Sequence, residues 1–138
     1  MPRPSMGHSL LDRVARPLGL FDPEEIKSAM LEVARDAFVV LDEQLRVIEW
    51  SGSAPAVLGW HRDEVVGLSF VEMLTPPGER WNQESRLRRL LSRDYLGHTE
   101  HRIATAVLTR EGMVTVEQSL GTARVRRKLI LVMSMRPI

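Results

Sequence analysis

Asp36-Ala37-Phe38-Val39-Val40-Leu41-Asp42-Glu43-Gln44-Leu45-Arg46-Val47-Ile48-Glu49-Trp50 carries the reading of the fold. Phe38 to Leu41 is a β-rich apolar run, Asp42-Glu43-Gln44 is a polar break, and Leu45 to Trp50 resumes the extended pattern. Two such runs around a short turn predict an antiparallel hairpin. Both faces of the first strand are apolar, so one face must meet something besides the main core, such as an N-terminal helix or a second subunit.

Upstream, Asp22-Pro23-Glu24-Glu25 reads as a helix start, with Asp at the N-cap, Pro at the first helical position and Glu placed for a capping box. Ile26, Ala29, Met30 and Val33 then recur at helical spacing, and the helix is expected to reach about Arg35. Ser9 to Arg16 offers a shorter amphipathic stretch with Leu10, Leu11 and Val14 on one side, ended by Pro17 and Gly19. Residues 1–35 are therefore assigned to a helical cap and 36–138 to the main domain.

Downstream of the hairpin, Ser53 to Gly59 and Arg62 to Gly67 read as helical pieces of one or two turns, each closed by Gly. Pro76-Pro77-Gly78 is a stop, after which a longer helix is expected over Glu79 to Ser92. Its inward side would carry Gln83 or Glu84, Leu87, Leu90 and Leu91, and its wet side Arg80, Arg86, Arg88, Arg89 and Arg93. His101–Leu108, Met113–Leu120 and Lys128–Met135 read as three more strands, joined by a Thr109-Arg110-Glu111-Gly112 turn and a basic loop from Arg124 to Arg127. The expected class is α+β: one five-stranded antiparallel sheet with short helices on one face and an N-terminal helical cap.

Composition bounds the chemistry. A chain of 138 residues, 43% hydrophobic and 27% charged, is the size of one domain and needs no covalent or metal staple. Cys is absent, which removes disulfides, thiolate metal sites, iron–sulfur clusters and cysteinyl-adduct photochemistry. The balance of 19 Lys+Arg against 18 Asp+Glu leaves +1, too little for a long-range field toward nucleic acid or a membrane surface. No apolar run approaches the ~20 residues of a membrane span, and residues 1–8 lack the apolar stretch of a secretory signal. A cytoplasmic location is the expectation.

From Asp36 to about Met135 the chain resembles a PAS domain. The carrying residues are Asp36 to Asp42, Val47-Ile48-Glu49-Trp50, Leu58-Gly59-Trp60-His61-Arg62-Asp63-Glu64-Val65-Val66-Gly67, the Pro76-Pro77 break, and Arg110-Glu111-Gly112, where PAS domains usually carry Asp-Gly. Ser51 follows Trp50 where PAS sequences often place Asn. The resemblance implies a sheet of strand order 2-1-5-4-3 and a bacterial sensory or interaction domain in signal transduction. It also implies dimerisation through the N-terminal helix, so Ile26, Met30 and Val33 are expected at a homodimer interface.

Such domains bind haem, flavin, small acids, metals or nothing, so a cofactor must be argued from residues. The helix that carries the iron-ligating His in oxygen-sensing haem relatives has no His here, and haem is not expected. His98 and His101 remain, but no carboxylate set or second His at helical spacing accompanies them, so no metal is expected. His8 and His61 fall on expected loops. Strand alternation points His101 inward if Ile103 and Thr105 are inward.

For a ligand pocket the same alternation selects Val39, Leu41, Ile103, Val116 and Gln118, with Leu87 and Trp81 from the long helix and His101 from the third strand. Gln118 is a polar side chain in an otherwise apolar inward row, costly without a partner; it either orients a ligand or bonds the backbone. Trp81 either lids the cavity or packs on the loop, and Met113, Met133 and Met135 are flexible fillers of the core or of a pocket wall. The basic clusters Arg86 to Arg93 and Arg124 to Lys128 lack interleaved aromatics and read as solvated faces or a partner surface, not a nucleic-acid site.

The expected function is thus sensing of a small molecule or a partner, transmitted through the sheet and the N-terminal helix. A ligand-free homodimerisation module is the alternative. A small cone-shaped isomerase or dehydratase, with His101 and Glu100 or Glu117 as its acid and base, is the third. No nucleophile elbow, phosphate loop or metal motif supports the last, and an enzyme is not expected.

Overall fold

The computed structural model describes residues 22–33, 35–92 and 99–138, and the chain divides into two units, Met1–Val33 and Ala34–Ile138. In the first, helix α1 spans Pro23–Val33, and Asp22 Oδ1 caps it by accepting the Glu24 N–H at 2.9 Å. Arg35, which the sequence reading has the helix reach, lies outside it. Leu10, Leu11, Val14, His8 and His98 lie outside the described residues.

The second unit is built on β1 (Ala37–Leu41), β2 (Val47–Gly52), β3 (Thr99–Thr109), β4 (Gly112–Val125) and β5 (Lys128–Pro137), in one antiparallel sheet of order β2-β1-β5-β4-β3. The class and the strand order expected from the sequence are both present. Between β2 and β3 run α2 (Ala54–Leu58), α3 (Arg62–Val65), α4 (Phe70–Leu74), a 3-10 turn (Pro77–Glu79) and α5 (Arg80–Leu90). The sequence reading missed α4, although Ser69-x-x-Glu72 marks its start: Ser69 Oγ accepts the Glu72 N–H at 3.2 Å.

Alternation along β1 is strict. Ala37, Val39 and Leu41 are buried against the helices, while Phe38 and Val40 on the outer face are half-buried. The core between sheet and helices is filled by large side chains, among them Phe70, Leu58, Leu74, Leu87, Leu131, Met133 and Met135, all buried. Short helices such as α2 and α3 have too few internal hydrogen bonds to persist alone, so Leu58 and Val65, buried without exposure, are what hold them.

The turns follow side-chain chemistry. Asp42 Oδ1 accepts the N–H groups of Gln44 and Arg46, both at 2.9 Å, and closes the β1–β2 turn. Leu45, expected in the second strand, instead belongs to this turn at φ 63° with its side chain buried. The basic loop is tighter than expected: β4 continues to Val125, which pairs with Lys128, and only Arg126 and Arg127 form the turn, at φ 50° and 71°. Two successive left-handed residues match the twist of the flanking strands.

Gly52 ends β2 at φ +65°, and a Cβ there would lie 2.5 Å from the Asp36 carbonyl oxygen and 2.8 Å from the Phe38 ring. Gly67, at φ +93°, has open space around it. Gly67→Ala is expected to cost about 1–2 kcal/mol from backbone strain alone. Gly52→Ala adds overpacking and is expected to cost about 2–5 kcal/mol. Urea denaturation of the two variants checks the order, and equal losses would show that the Asp36–Phe38 contact yields freely.

Candidate functional site

Gln118 is fully buried on the inner face of β4, between Val116 and Leu120. Its Oε1 accepts from an Arg86 Nη at 2.7 Å, and its Nε2 faces the thioether sulfurs of Met133 and Met135 at 3.7 and 3.6 Å. Arg86 on α5 also donates to Gln83 Oε1 and to Glu100 Oε1, each at 2.7 Å. One guanidinium thus holds three oxygens, two from neutral amides and one from a carboxylate. Gln83 is 7% exposed and Gln118 not at all, so this cluster lies between helix and sheet and not on a wet surface.

Arg86 was expected on the solvent side of its helix. Its side chain is 22% exposed instead, because Gln83 and Leu87 set the buried face and the long Arg stem follows it inward toward Gln118. A partly buried charge is favourable only when its donors are matched, as they are here.

Glu100 reaches Arg86 because β3 is irregular. Glu100 pairs with Leu120 and Ile103 with Gln118, so two β3 residues stand opposite Ser119 alone. Arg102 takes φ 56° and donates its N–H to Ser119 Oγ at 3.2 Å. This bulge puts Glu100 and Ile103 on the same inner face although they are three residues apart. It also breaks the alternation that tied His101 to Ile103; the His101 side chain lies outside the described residues.

A groove of about 640 Å³ runs beside this cluster, with Glu79, Asn82, Gln83 and Arg86 along the helix side and Ile103 to Ala106 with Met113 along the sheet side. Of the pocket residues read from the sequence, Ile103 lines the groove, and Gln118 lies behind it bonded to Arg86. Val39, Leu41, Leu87 and Val116 are fully buried core residues, and Trp81 is 79% exposed. Arg86, Gln83 and Glu100 were not among them; the Gln83 and Arg86 spacing of three on one helix is the signal that pairs them. Among the described residues no three or more His, Asp or Glu side chains gather as a metal would require. No helix among them is long and apolar enough to cross a membrane.

The PAS fold family model matches residues 25–137. The chain belongs to the PAS family. The sheet order and the short helices over one face are the architecture of its relatives. None of the curated proteins compared matches this chain. The chain is similar to a PAS domain from Colwellia psychrerythraea, with 18% identity over 85% of this chain and 98% of that one and a TM-score of 0.72. It is similar to the PAS domain of nitrogen regulation protein NR(II) from Vibrio parahaemolyticus, with 18% identity, 82% and 98% coverage and a TM-score of 0.65. It is also similar to the PAS domain of the quorum-sensing receptor RpfR from Cronobacter turicensis, solved in complex with BDSF, with 17% identity, 76% and 95% coverage and a TM-score of 0.61. PAS domains are generally sensory, non-enzymatic modules, and this chain carries that fold.

A second cluster fixes the β3–β4 turn to the helices of this PAS domain. Arg110 donates through Nε to the Gly59 carbonyl at 3.0 Å, lies 4.5 Å from the centre of the Trp60 ring, and pairs with Glu64. Trp50 Nε1 in turn donates to the Trp60 carbonyl at 2.9 Å. The Arg110 guanidinium and then the His61 N–H hold the Glu64 carboxyl below its ordinary value of 4.5, and Glu64 raises Arg110. At Glu49, partial burial pushes the carboxyl up, but Arg62 and the Trp50 N–H outweigh it and the net direction is down.

A carboxyl with a depressed folded pKa stabilises the fold above its unfolded value, and that stabilisation is lost as pH falls through the folded value. Glu64→Gln is therefore expected to lower the melting temperature at pH 7, with the gap to wild type closing as pH drops below 4.5. A gap still at full size at about pH 3 would show that the carboxylate charge is not what Arg110 reads.

Proposed function

We propose that this PAS domain is a non-enzymatic sensory domain that takes a small molecule between α5 and the sheet. The supporting observation is the Arg86 cluster. A packed interface with no ligand to recognise is best filled with apolar side chains, whereas here a guanidinium and two buried amides stand beside a groove. The RpfR PAS domain, similar in fold, is solved with BDSF and with C12:0.

Native mass spectrometry of the purified chain, paired with an absorption spectrum, tests this. A bound small molecule with no Soret or flavin band is the expected result. The absence of any adduct, together with no thermal shift across a metabolite panel, would favour a ligand-free module instead.

The homodimer belongs to the same proposal. Helix α1 exposes Ile26, Met30 and Val33, with Met30 64% exposed and Val33 80%. A stripe repeating at helical spacing can meet its own copy about a two-fold axis. Met30→Asp is expected to convert a dimer to a monomer in light scattering while leaving the circular dichroism spectrum intact; an unchanged dimer mass would move the interface elsewhere.

A further inference from the structure

The acceptors around Arg86 differ in kind. Gln118 and Gln83 are neutral amides and buried, and they fix the plane of the guanidinium from behind. Glu100 is the charged partner, and its side chain is 31% exposed. It also comes from the segment of β3 that precedes the bulge, whereas pairing from Ile103 to Thr109 is regular beyond it. Glu100 can therefore leave Arg86 without disturbing the register that holds Ile103 against Gln118.

Losing Glu100 would leave an unmatched cation whose remaining contacts are two neutral oxygens. Such a charge calls for another anion, and Arg86 Nη1, which holds a Glu100 carboxylate oxygen at 2.7 Å while Nη2 is taken by Gln83 and Gln118, can donate to a ligand carboxylate in the same place. The groove beside it offers Ile103, Ala104, Ala106 and Met113, apolar and mostly small, to whatever is attached to that anion. We infer that the groove binds a short aliphatic monocarboxylate whose carboxylate displaces Glu100 from Arg86, so that Glu100 acts as an internal occupant of the site.

This rests on the sensory reading above and adds the ligand's charge, its attachment point and the group it displaces. The displacement links binding to structure: it frees the Glu100 side chain beside the Arg102 bulge, while the backbone pairing of Thr99 and Glu100 with β4 stays.

Titration calorimetry on the full chain with butyrate, hexanoate and octanoate, each against its primary amide, tests the inference. Carboxylates are expected to bind at least about tenfold tighter than the matching amides. Glu100→Gln, which removes the competing charge but keeps the side-chain shape, is expected to tighten carboxylate binding about tenfold and to leave amide binding unchanged. Arg86→Gln is expected to erase the preference for carboxylates. Because that variant can lose its fold, the opposite-sign effect of Glu100→Gln is the decisive arm. Equal binding of acids and amides, or weaker acid binding by Glu100→Gln, overturns the inference while small-molecule sensing stands. Binding of neither series overturns the inference, and sensing is then judged by the native mass measurement alone.

Discussion

A guanidinium between a helix and a sheet has to be surrounded by oxygens, and much of this structure is arranged to supply them. Arg86 draws Gln83 from its own helix, Gln118 from the middle of the sheet and Glu100 from the sheet edge. All three acceptors meet one guanidinium, the two amides buried and the carboxylate partly exposed, so they are coupled and not independent contributions. Gln118 adds a second constraint: with its oxygen committed to Arg86, its amide nitrogen is directed at the sulfurs of Met133 and Met135. Thioethers are weak acceptors but soft and adaptable, and they let a buried amide end against an apolar core without a stronger partner.

The bulge in β3 is the backbone counterpart of that arrangement. A regular strand would send Glu100 and Ile103 to opposite faces, giving the groove its apolar wall but not its charge balance. A single extra residue, with Arg102 at positive φ and its N–H taken by Ser119, brings both to one face. The strain of a non-glycine residue in that region is of the order of 1–2 kcal/mol.

The framework was legible because it rests on local chemistry. Apolar runs, the Asp42 turn, the closing glycines and the prolines before α5 are each read within a few residues, and the order of elements then leaves few topologies. Ser69 and Glu72 mark the start of α4 by the same local chemistry. The site was legible only in part. Parity found Gln118, because β4 is regular from Val116 to Leu120. It could not find Glu100, because no local residue pattern marks a bulge at Arg102, and it placed Arg86 in water because amphipathicity weighs the charged end of a side chain and ignores its stem. Val39, Leu41 and Val116 are inward and buried, as parity has them, and inward parity alone does not tell a packed residue from one that lines a groove.

The two clusters divide the labour between fixed and movable parts. Arg110 holds the β3–β4 turn to the helices through the Gly59 carbonyl, the Trp60 face and the Glu64 carboxylate, three unlike contacts that would all have to break together. That end of β3 is anchored. The other end carries the Glu100–Arg86 pair next to a bulge that interrupts the ladder. The ladder there continues through Thr99–Gly121 and Glu100–Leu120, and the Arg102 N–H is bonded to Ser119, so the bulge and not a missing pairing is what sets this end apart from the turn. A bulge is a place where a strand can shift without breaking the register beyond it, because the ladder is already interrupted there.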